Sequence, residues 1–163
     1  MAFRANWSEM GNKLIIIIPK NYHKDIRRLK LLSRLLHPRI DAMKLLLISD
    51  DWETIEQIKF ICNSKGNIEL RVRIHGNEGL EAIPRDKYDL VLLDLALSEF
   101  SGYDVLEALK ERELLKTTNI VLFSTSSDRG LMLALKKKGA KEVIRKPRSL
   151  EDLSNIIEKY RSS

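Results

Sequence analysis

Five polar residues of the chain carry the side chains that metal-assisted phosphoryl transfer requires. They are, in chain order, Asp50, Asp51, Asp94, Ser124 and Lys146. Carboxylates held close together raise one another's pKa unless a cation lies between them, and Mg²⁺ suits them because it binds one or two carboxylates and leaves room for phosphate oxygens. A lysine would offset the charge of an incoming phosphoryl group, and a hydroxyl would donate a hydrogen bond to it. The set therefore predicts a carboxylate nucleophile that accepts the group as an acyl phosphate.

These residues must meet at one edge of a sheet for this chemistry to work. Strand-like segments alternate with helical patterns from Met43 onward, and the predicted strands are Lys44–Ile48, Ile68–Ile74, Leu90–Leu93, Ile120–Phe123 and Val143–Ile144. Five β-α units with mostly continuous apolar strands predict an α/β fold, a doubly wound five-stranded parallel sheet with helices on both faces. Ligands bind such sheets at the carboxyl ends of the strands, where the polar residues are expected.

Each polar residue also has an ordinary structural interpretation when it is considered alone. Asp50 or Asp51 could cap the next helix, and Asp94 could begin a turn. Ser124 could be a loop or cap residue, and Lys146 could be a solvated surface lysine. Their joint occurrence after strands one, three, four and five favours the functional interpretation.

Composition predicts a soluble cytoplasmic protein. Hydrophobic residues make up 44% of the chain and charged residues 32%, which is typical of globular proteins. The longest apolar run, Leu14–Ile18, falls short of both the ~18 residues of a membrane span and the ~7–15 of a signal-peptide core. The single cysteine, Cys62, is expected to be a small buried hydrophobe in a reducing compartment.

The excess positive charge divides the chain into a basic extension, residues 1–42, and a main domain, residues 43–163. The whole chain has a net charge of +6, and the first 42 residues hold nine Lys and Arg against three acids. The remainder is neutral. Any contact with nucleic acid or membrane is therefore expected only through residues 1–42.

The extension has three interpretations. Its strand-like segment Leu14–Ile18 precedes a predicted amphipathic basic helix whose apolar face carries Ile26, Leu29, Leu32 and Leu36. That helix could be an arm that binds membrane, nucleic acid or a partner, or it could pack on the domain or on a second copy. Met43 could also be the physiological start. We slightly favour the packed helix.

Four segments, taken in order, resemble the receiver domains of two-component response regulators. They are LLLISDD (Leu45–Asp51), DLVLLDLALSEFSG (Asp89–Gly102), IVLFSTS (Ile120–Ser126) and GAKEVIRKP (Gly139–Pro147). The resemblance covers essentially all of residues 43–163 and implies the flavodoxin-like (βα)5 receiver fold.

The resemblance also implies a role for each polar residue. It implies a Mg²⁺ site made by the side chains of Asp50, Asp51 and Asp94 and the backbone carbonyl of Ala96. Asp94 would take the phosphoryl group from a histidine kinase or phosphotransfer protein, while Ser124 and Lys146 would contact that group. The bond between Lys146 and Pro147 is usually cis in the family. Any enzyme activity would be limited to Mg²⁺-dependent self-phosphorylation from phosphodonors and self-dephosphorylation.

Three residues depart from the family pattern. Ser98 stands where a proline is usual, Val143 where an aromatic residue reorients during signalling, and Arg148 where a phenylalanine is frequent. The phosphorylation chemistry is expected to be intact, whereas signalling by the usual aromatic rearrangement is not assured. A downstream protein effector is expected because no output domain follows the last predicted helix.

Other classes fit the residues less well. A phosphatase of the haloacid dehalogenase type needs an aspartate two residues after its nucleophile, where this chain has Ala96. A dinucleotide or flavin site would need a glycine- or hydroxyl-rich first loop, and the acidic pair Asp50 and Asp51 repels phosphate there. The main alternative is a pseudo-receiver, a protein-binding module that acts without phosphorylation. Such domains usually lose an acidic residue or the lysine, and this chain keeps them all.

Overall fold

The computed structural model of the chain describes residues 42–146 and 149–161. The segments Leu14–Ile18 and 26–36, together with Pro147 and its peptide bond, lie outside the described residues, so the expectations about them stay predictions. None of the helices in the described part is long and apolar enough to cross a lipid bilayer.

A single five-stranded parallel sheet forms the centre of the described chain. Its strands are β1 (Met43–Ile48), β2 (Ile68–Arg73), β3 (Leu90–Asp94), β4 (Ile120–Ser124) and β5 (Glu142–Arg145). They pair in parallel in the order β2-β1-β3-β4-β5. The predicted fold class is therefore confirmed. The connections run in opposite directions from β1 and β3, and the crevice between these two strands is where such sheets bind ligands.

In the described part of the chain, one α-helix follows each of the five strands. The helices are α1 (Trp52–Lys65), α2 (Gly76–Ala82), α3 (Gly102–Glu111), α4 (Arg129–Lys138) and α5 (Leu150–Arg161). Short 3₁₀ turns at Ile83–Arg85 and Leu114–Lys116 complete two of the crossovers. The start of α3 has a capping box, in which Ser101 and Asp104 exchange side-chain and backbone hydrogen bonds.

The three central strands, β1, β3 and β4, are mostly apolar because both faces of the sheet are buried there. Along β1, Leu46 and Ile48 contribute to a core shared with α2, α3 and α4. Leu45 and Leu47 contribute to the opposite core, which α1 and α5 cover. All four side chains are fully buried, so the direction of each strand end is set by packing on two sides.

The predicted second strand extended one residue too far, to Ile74. The observed strand ends at Arg73 because its register partner, Ile48, is the last residue of β1. Beyond that pair no neighbouring strand is available, and Ile74 is half exposed.

Gly102 lies directly against the chain as it leaves β3. A Cβ atom built on Gly102 would lie 2.7 Å from Cα of Leu95 and closer still to the carbonyl oxygen of Asp94. Both are backbone atoms, so a side chain at this position cannot be accommodated by a rotamer change. Close packing of α3 therefore depends on this glycine, and it fixes the backbone that carries Asp94.

We expect Gly102→Ala to lower the free energy of unfolding by about 3 kcal/mol, because the methyl group overpacks against backbone. The matched control is Gly130→Ala in α4, where the nearest atom is Oδ1 of the Asp128 side chain, 3.2 Å away. That change should stay within about 1 kcal/mol of wild type, since alanine also favours the helix. Urea denaturation measures both, and equal effects would contradict close packing at Gly102.

Candidate functional site

Asp94, the last residue of β3, is a buried carboxylate with three hydrogen-bonding or ionic partners. Its Oδ1 accepts a hydrogen bond from the backbone N–H of Ala96 at 3.0 Å. Its Oδ2 accepts one from the hydroxyl of Ser49 at 3.1 Å and lies 2.9 Å from Nζ of Lys146. Only 1% of the residue is exposed. A charge can be buried to this extent only with such partners.

Lys146 joins two of the predicted site carboxylates. Its Nζ lies 2.7 Å from Oδ2 of Asp51 and 2.9 Å from Oδ2 of Asp94. Its backbone N–H donates to the carbonyl of Ser124 at 2.7 Å, which anchors the residue as it leaves β5. Burial acts to lower the pKa of Lys146, but its hydrogen bonds to the two carboxylates outweigh this and raise the pKa. Lys146 is therefore an ammonium at neutral pH.

Asp51 is both a helix cap and a member of the site. Its Oδ1 accepts from the backbone N–H of Glu53 at 3.3 Å, which caps α1. Its Oδ2 accepts from the hydroxyl of Thr54 at 2.6 Å as well as from Lys146. The hydrogen bonds from Lys146 and then Thr54 hold the pKa of Asp51 below its ordinary value. The sequence analysis offered a helix cap or a site residue at this position, and the contacts of Asp51 allow both.

Asp50 is held apart from the other two carboxylates. Its Oδ2 accepts hydrogen bonds from the backbone N–H of Ser98, at 3.0 Å, and from the Ser98 hydroxyl. Within the part of the chain that the structure describes, no three Asp, Glu, His or Cys residues are arranged to hold a metal ion. Asp51 and Asp94 thus meet at Lys146, while Asp50 is bound to the loop after β3.

The donor set nevertheless suits Mg²⁺ in its chemistry. Asp50 is exposed and Asp51 half-buried at the same end of the sheet as Asp94, and all three offer the hard oxygen ligands that Mg²⁺ prefers. Ala96, the fourth predicted ligand, is exposed, and in the structure its N–H contacts Asp94.

Ser124 is the last residue of β4, next along the strand from Phe123, which pairs with Asp94. It is 5% exposed. Its Oγ accepts a hydrogen bond from the backbone N–H of Ser126 at 3.1 Å. In that arrangement the hydroxyl proton has no acceptor among residues 42–146 and 149–161, so it is available to a phosphoryl oxygen.

Two serines belong to the site although sequence reasoning did not assign them to it. Ser49 is fully buried, donates to Asp94 and accepts from the backbone N–H of Asp51 at 3.2 Å. Ser98 binds Asp50 from the position where the family usually has a proline. The available signal was a polar residue at the end of a buried apolar strand, since such a residue needs a partner within the fold.

The chain is similar to known proteins over most of the described residues. The family model for the response regulator receiver domain matches residues 45–158. The chain is 30% identical over 119 residues to the probable C4-dicarboxylate response regulator DctR of Bacillus subtilis, covering 72% of this chain and 52% of that protein. It is 34% identical over 105 residues to the cell cycle transcriptional regulator CtrA of Caulobacter vibrioides, covering 64% and 44%. The chain therefore spans about half the length of these relatives.

Solved structures show the same fold. The receiver domain of sensor histidine kinase PA1611 from Pseudomonas aeruginosa, which has a magnesium ion coordinated in its active site cleft, matches with a TM-score of 0.64 at 20% identity over 75% of this chain and 99% of that one. The chemotaxis protein CheY4 of Vibrio cholerae matches with a TM-score of 0.64 at 19% identity, covering 73% and 98%.

We expect Lys146→Met to lower the free energy of unfolding near neutral pH, because Asp51 and Asp94 lose their shared cation. The loss should be about 2 kcal/mol, less than for a fully buried pair, since the lysine side chain is 23% exposed. The folded pKa of Asp51 is depressed, so its stabilisation is complete above the unfolded pKa of about 3.9 and is lost as the pH falls through the folded value. The difference in the free energy of unfolding between wild type and Lys146→Met should therefore become smaller below about pH 4.

Lys116→Met is the matched control for urea denaturation across this pH range. Lys116 pairs with Glu113 at 3.2 Å, but both side chains are about three-quarters exposed. An ion pair of this kind contributes little at any pH. If the difference in the free energy of unfolding between Lys146→Met and wild type did not vary with pH, Lys146 would not stabilise the fold through these carboxylates.

Proposed function

We propose, from the premise that this chain belongs to the response regulator receiver domain family, that Asp94 receives a phosphoryl group in a Mg²⁺-dependent reaction. The observation that carries the proposal is the buried Asp94 carboxylate 2.9 Å from the Lys146 ammonium, at the carboxyl end of the central strand β3. The donor in the cell would be a sensor histidine kinase or a phosphotransfer protein in the cytoplasm. The modified domain would then signal to a downstream protein effector through a change of conformation.

The proposed step is an in-line displacement at phosphorus. An electron pair of an Asp94 oxygen forms the new O–P bond, while the bond from phosphorus to a phosphohistidine nitrogen breaks and its electron pair leaves with the imidazole. With acetyl phosphate the leaving atom is an acetate oxygen. Lys146 stays protonated and offsets the charge that reaches Asp94. The Ser124 hydroxyl donates a hydrogen bond to a phosphoryl oxygen.

Asp50, Asp51, Asp94 and the carbonyl of Ala96 are the groups we propose for Mg²⁺. When bound, the ion would supply charge neutralisation at the phosphoryl oxygens and would help to orient them. The serine at position 98 gives Asp50 a hydrogen-bonding partner that the usual proline, which lacks an N–H, cannot provide.

The second candidate is a pseudo-receiver that binds partners without phosphorylation. Val143 favours an unusual signalling step, because it is a buried aliphatic residue in the core and not an aromatic ring. The ion pair between Asp94 and Lys146 favours the phosphoacceptor. Burying these two charges costs free energy of desolvation, and a phosphoacceptor needs both groups at this position. We rank the phosphoacceptor first.

We expect the purified protein to gain one phosphoryl group from acetyl phosphate in the presence of Mg²⁺, and intact-protein mass spectrometry would detect it. Asp94→Asn should abolish labelling, as should chelation of the metal. The matched control is Asp128→Asn, the same change at the cap of α4, where asparagine caps equally well and labelling should be normal. Labelling that survives in Asp94→Asn would identify another nucleophile, and an unlabelled wild type would favour the pseudo-receiver.

We further propose that residues 43–163 fold and phosphorylate without residues 1–42. The described residues of both cores and the partly buried side chains packed against them, from Met43 onward, include members from all five strands and all five helices of the receiver fold. A chain that begins at Met43 should have the circular dichroism and labelling rate of the full chain, with lower solubility because its charge is near zero. An unfolded product would mean that the domain boundary lies earlier.

A further inference from the structure

A polar groove that does not include Asp94 lies between the outer strand β2, helix α2 and the Ile83–Arg85 turn. Its cavity volume is about 340 Å³, near the lower end of the range for small-molecule sites. Three arginines line it, namely Arg71, Arg73 and Arg85, together with Asn77 and Tyr88. Even-numbered residues of β2 pack into the core on the α1 side, so Arg71 and Arg73 project to the α2 side, into the groove.

The hydroxyl of Tyr88 has no use within the described structure. Tyr88 is 7% exposed, and its hydroxyl oxygen is buried without a hydrogen-bond partner among the described residues. Buried hydroxyls are nearly always hydrogen-bonded, because a lost bond to water must be replaced. A phenolic hydroxyl donates one hydrogen bond, so Tyr88, a residue of the groove lining, lacks an acceptor. Because its oxygen is enclosed, a ligand that accepts this bond must displace the groups that now cover it.

Arg73 supplies a positive charge that has no counterpart. Its Nη1 donates to the carbonyl of Val72 at 2.8 Å, and across residues 42–146 and 149–161 no ion pair of Arg73 with a carboxylate is found. The guanidinium has five N–H donors, so most of them are available to a ligand. Arg71 and Arg85, the other two arginines of the groove, are each paired with a carboxylate.

Two of the three acidic residues of the groove, Asp86 and Glu81, are already paired with basic side chains. Asp86 lies 2.6 Å from Arg71 and 3.2 Å from Lys44. Glu81 lies 3.1 Å from Arg112 and 4.0 Å from Arg85. Glu78, the remaining carboxylate of the lining, is exposed to solvent. A cationic ligand would therefore compete with basic side chains for Asp86 and Glu81, whereas an anion would meet Arg73 directly.

We infer that this groove binds a small anion that carries a carboxylate or a phosphate. Arg73 binds the charged end, and the Tyr88 hydroxyl donates to one of its oxygens. The Asn77 side-chain amide is a further donor, since its Oδ1 already accepts from the backbone N–H of Glu78 at 2.8 Å. An apolar ligand does not fit, because Ala82 and the Tyr88 ring are the only largely apolar groups of the lining. The site is separate from Asp94 and does not depend on its phosphorylation.

The test is a nuclear magnetic resonance titration of the ¹⁵N-labelled full chain at constant ionic strength. The probes are inorganic phosphate, succinate and AMP, which separate the phosphate from the carboxylate source and a bare anion from a larger one. At least one should give saturable shifts of the Arg73, Asn77 and Tyr88 amides below about 20 mM. Absence of saturable shifts at these amides with all three probes would overturn the inference.

Two variants and a matched control distinguish the groove from general attraction to a basic chain. Arg73→Ala should weaken binding about tenfold, and Tyr88→Phe about threefold. Arg129→Ala removes an exposed arginine from α4, outside the groove, and should leave the affinity unchanged. Equal weakening by Arg73→Ala and Arg129→Ala would mean that only net charge matters, and the proposed site would be wrong.

Thermal unfolding provides an independent readout at Tyr88. Without a probe, Tyr88→Phe should unfold at the same temperature as wild type or higher, because the variant lacks an unsatisfied hydroxyl. With the tightest probe, wild type should be stabilised more than the variant. A variant that is less stable than wild type without any probe would show that the hydroxyl has an internal partner, and would overturn its assignment to a ligand.

Discussion

One ammonium group determines how the acidic end of this sheet is built. Lys146 follows β5, yet its Nζ reaches Asp51 after β1 and Asp94 at the end of β3. Burial of Asp94 to 1% exposure depends on that cation, because an unpaired carboxylate at this depth would be too costly to keep ionised. The backbone N–H of Lys146 donates a hydrogen bond to the carbonyl of Ser124, the last residue of β4. This bond places Lys146 where its side chain can extend across the end of β4.

The rest of the fold serves to keep these strand ends in register. Two apolar cores clamp the strands from opposite faces, and Gly102 lets α3 close against the backbone of Asp94. Ser49 contributes from below, since it is fully buried and touches both Asp94 and the N–H of Asp51. Because closely packed interiors resist displacement, Asp51 and Asp94 are kept together at Lys146.

The five-stranded parallel sheet and the edge that carries the candidate site could be predicted from the sequence, because continuous apolar runs indicate burial on both faces. Strand ends were predicted less well. Asp94 and Ser124 were expected just after their strands, yet they are the last paired residues of β3 and β4, since a polar side chain does not stop its backbone from pairing. The hydrogen-bond partners could not be predicted from the sequence. The bond between Asp50 and Ser98, for example, depends on the distance between two loops. The groove between β2 and α2 was not predicted either, because its lining residues, all within residues 71–88, form a cavity only once the strand and the helix are packed.

The double role of Asp51 makes the beginning of α1 sensitive to events at the site. One oxygen of this carboxylate caps the Glu53 amide, while the other is shared between Thr54 and Lys146. Any ligand that pulls Asp51 toward itself must lengthen or redirect the cap, and the first turn of the helix then opens more often. The Glu53 amide proton would consequently exchange with solvent deuterium at a rate that follows the occupancy of the acidic edge. Trp52, which is 69% exposed beside that amide, makes the same turn visible to fluorescence.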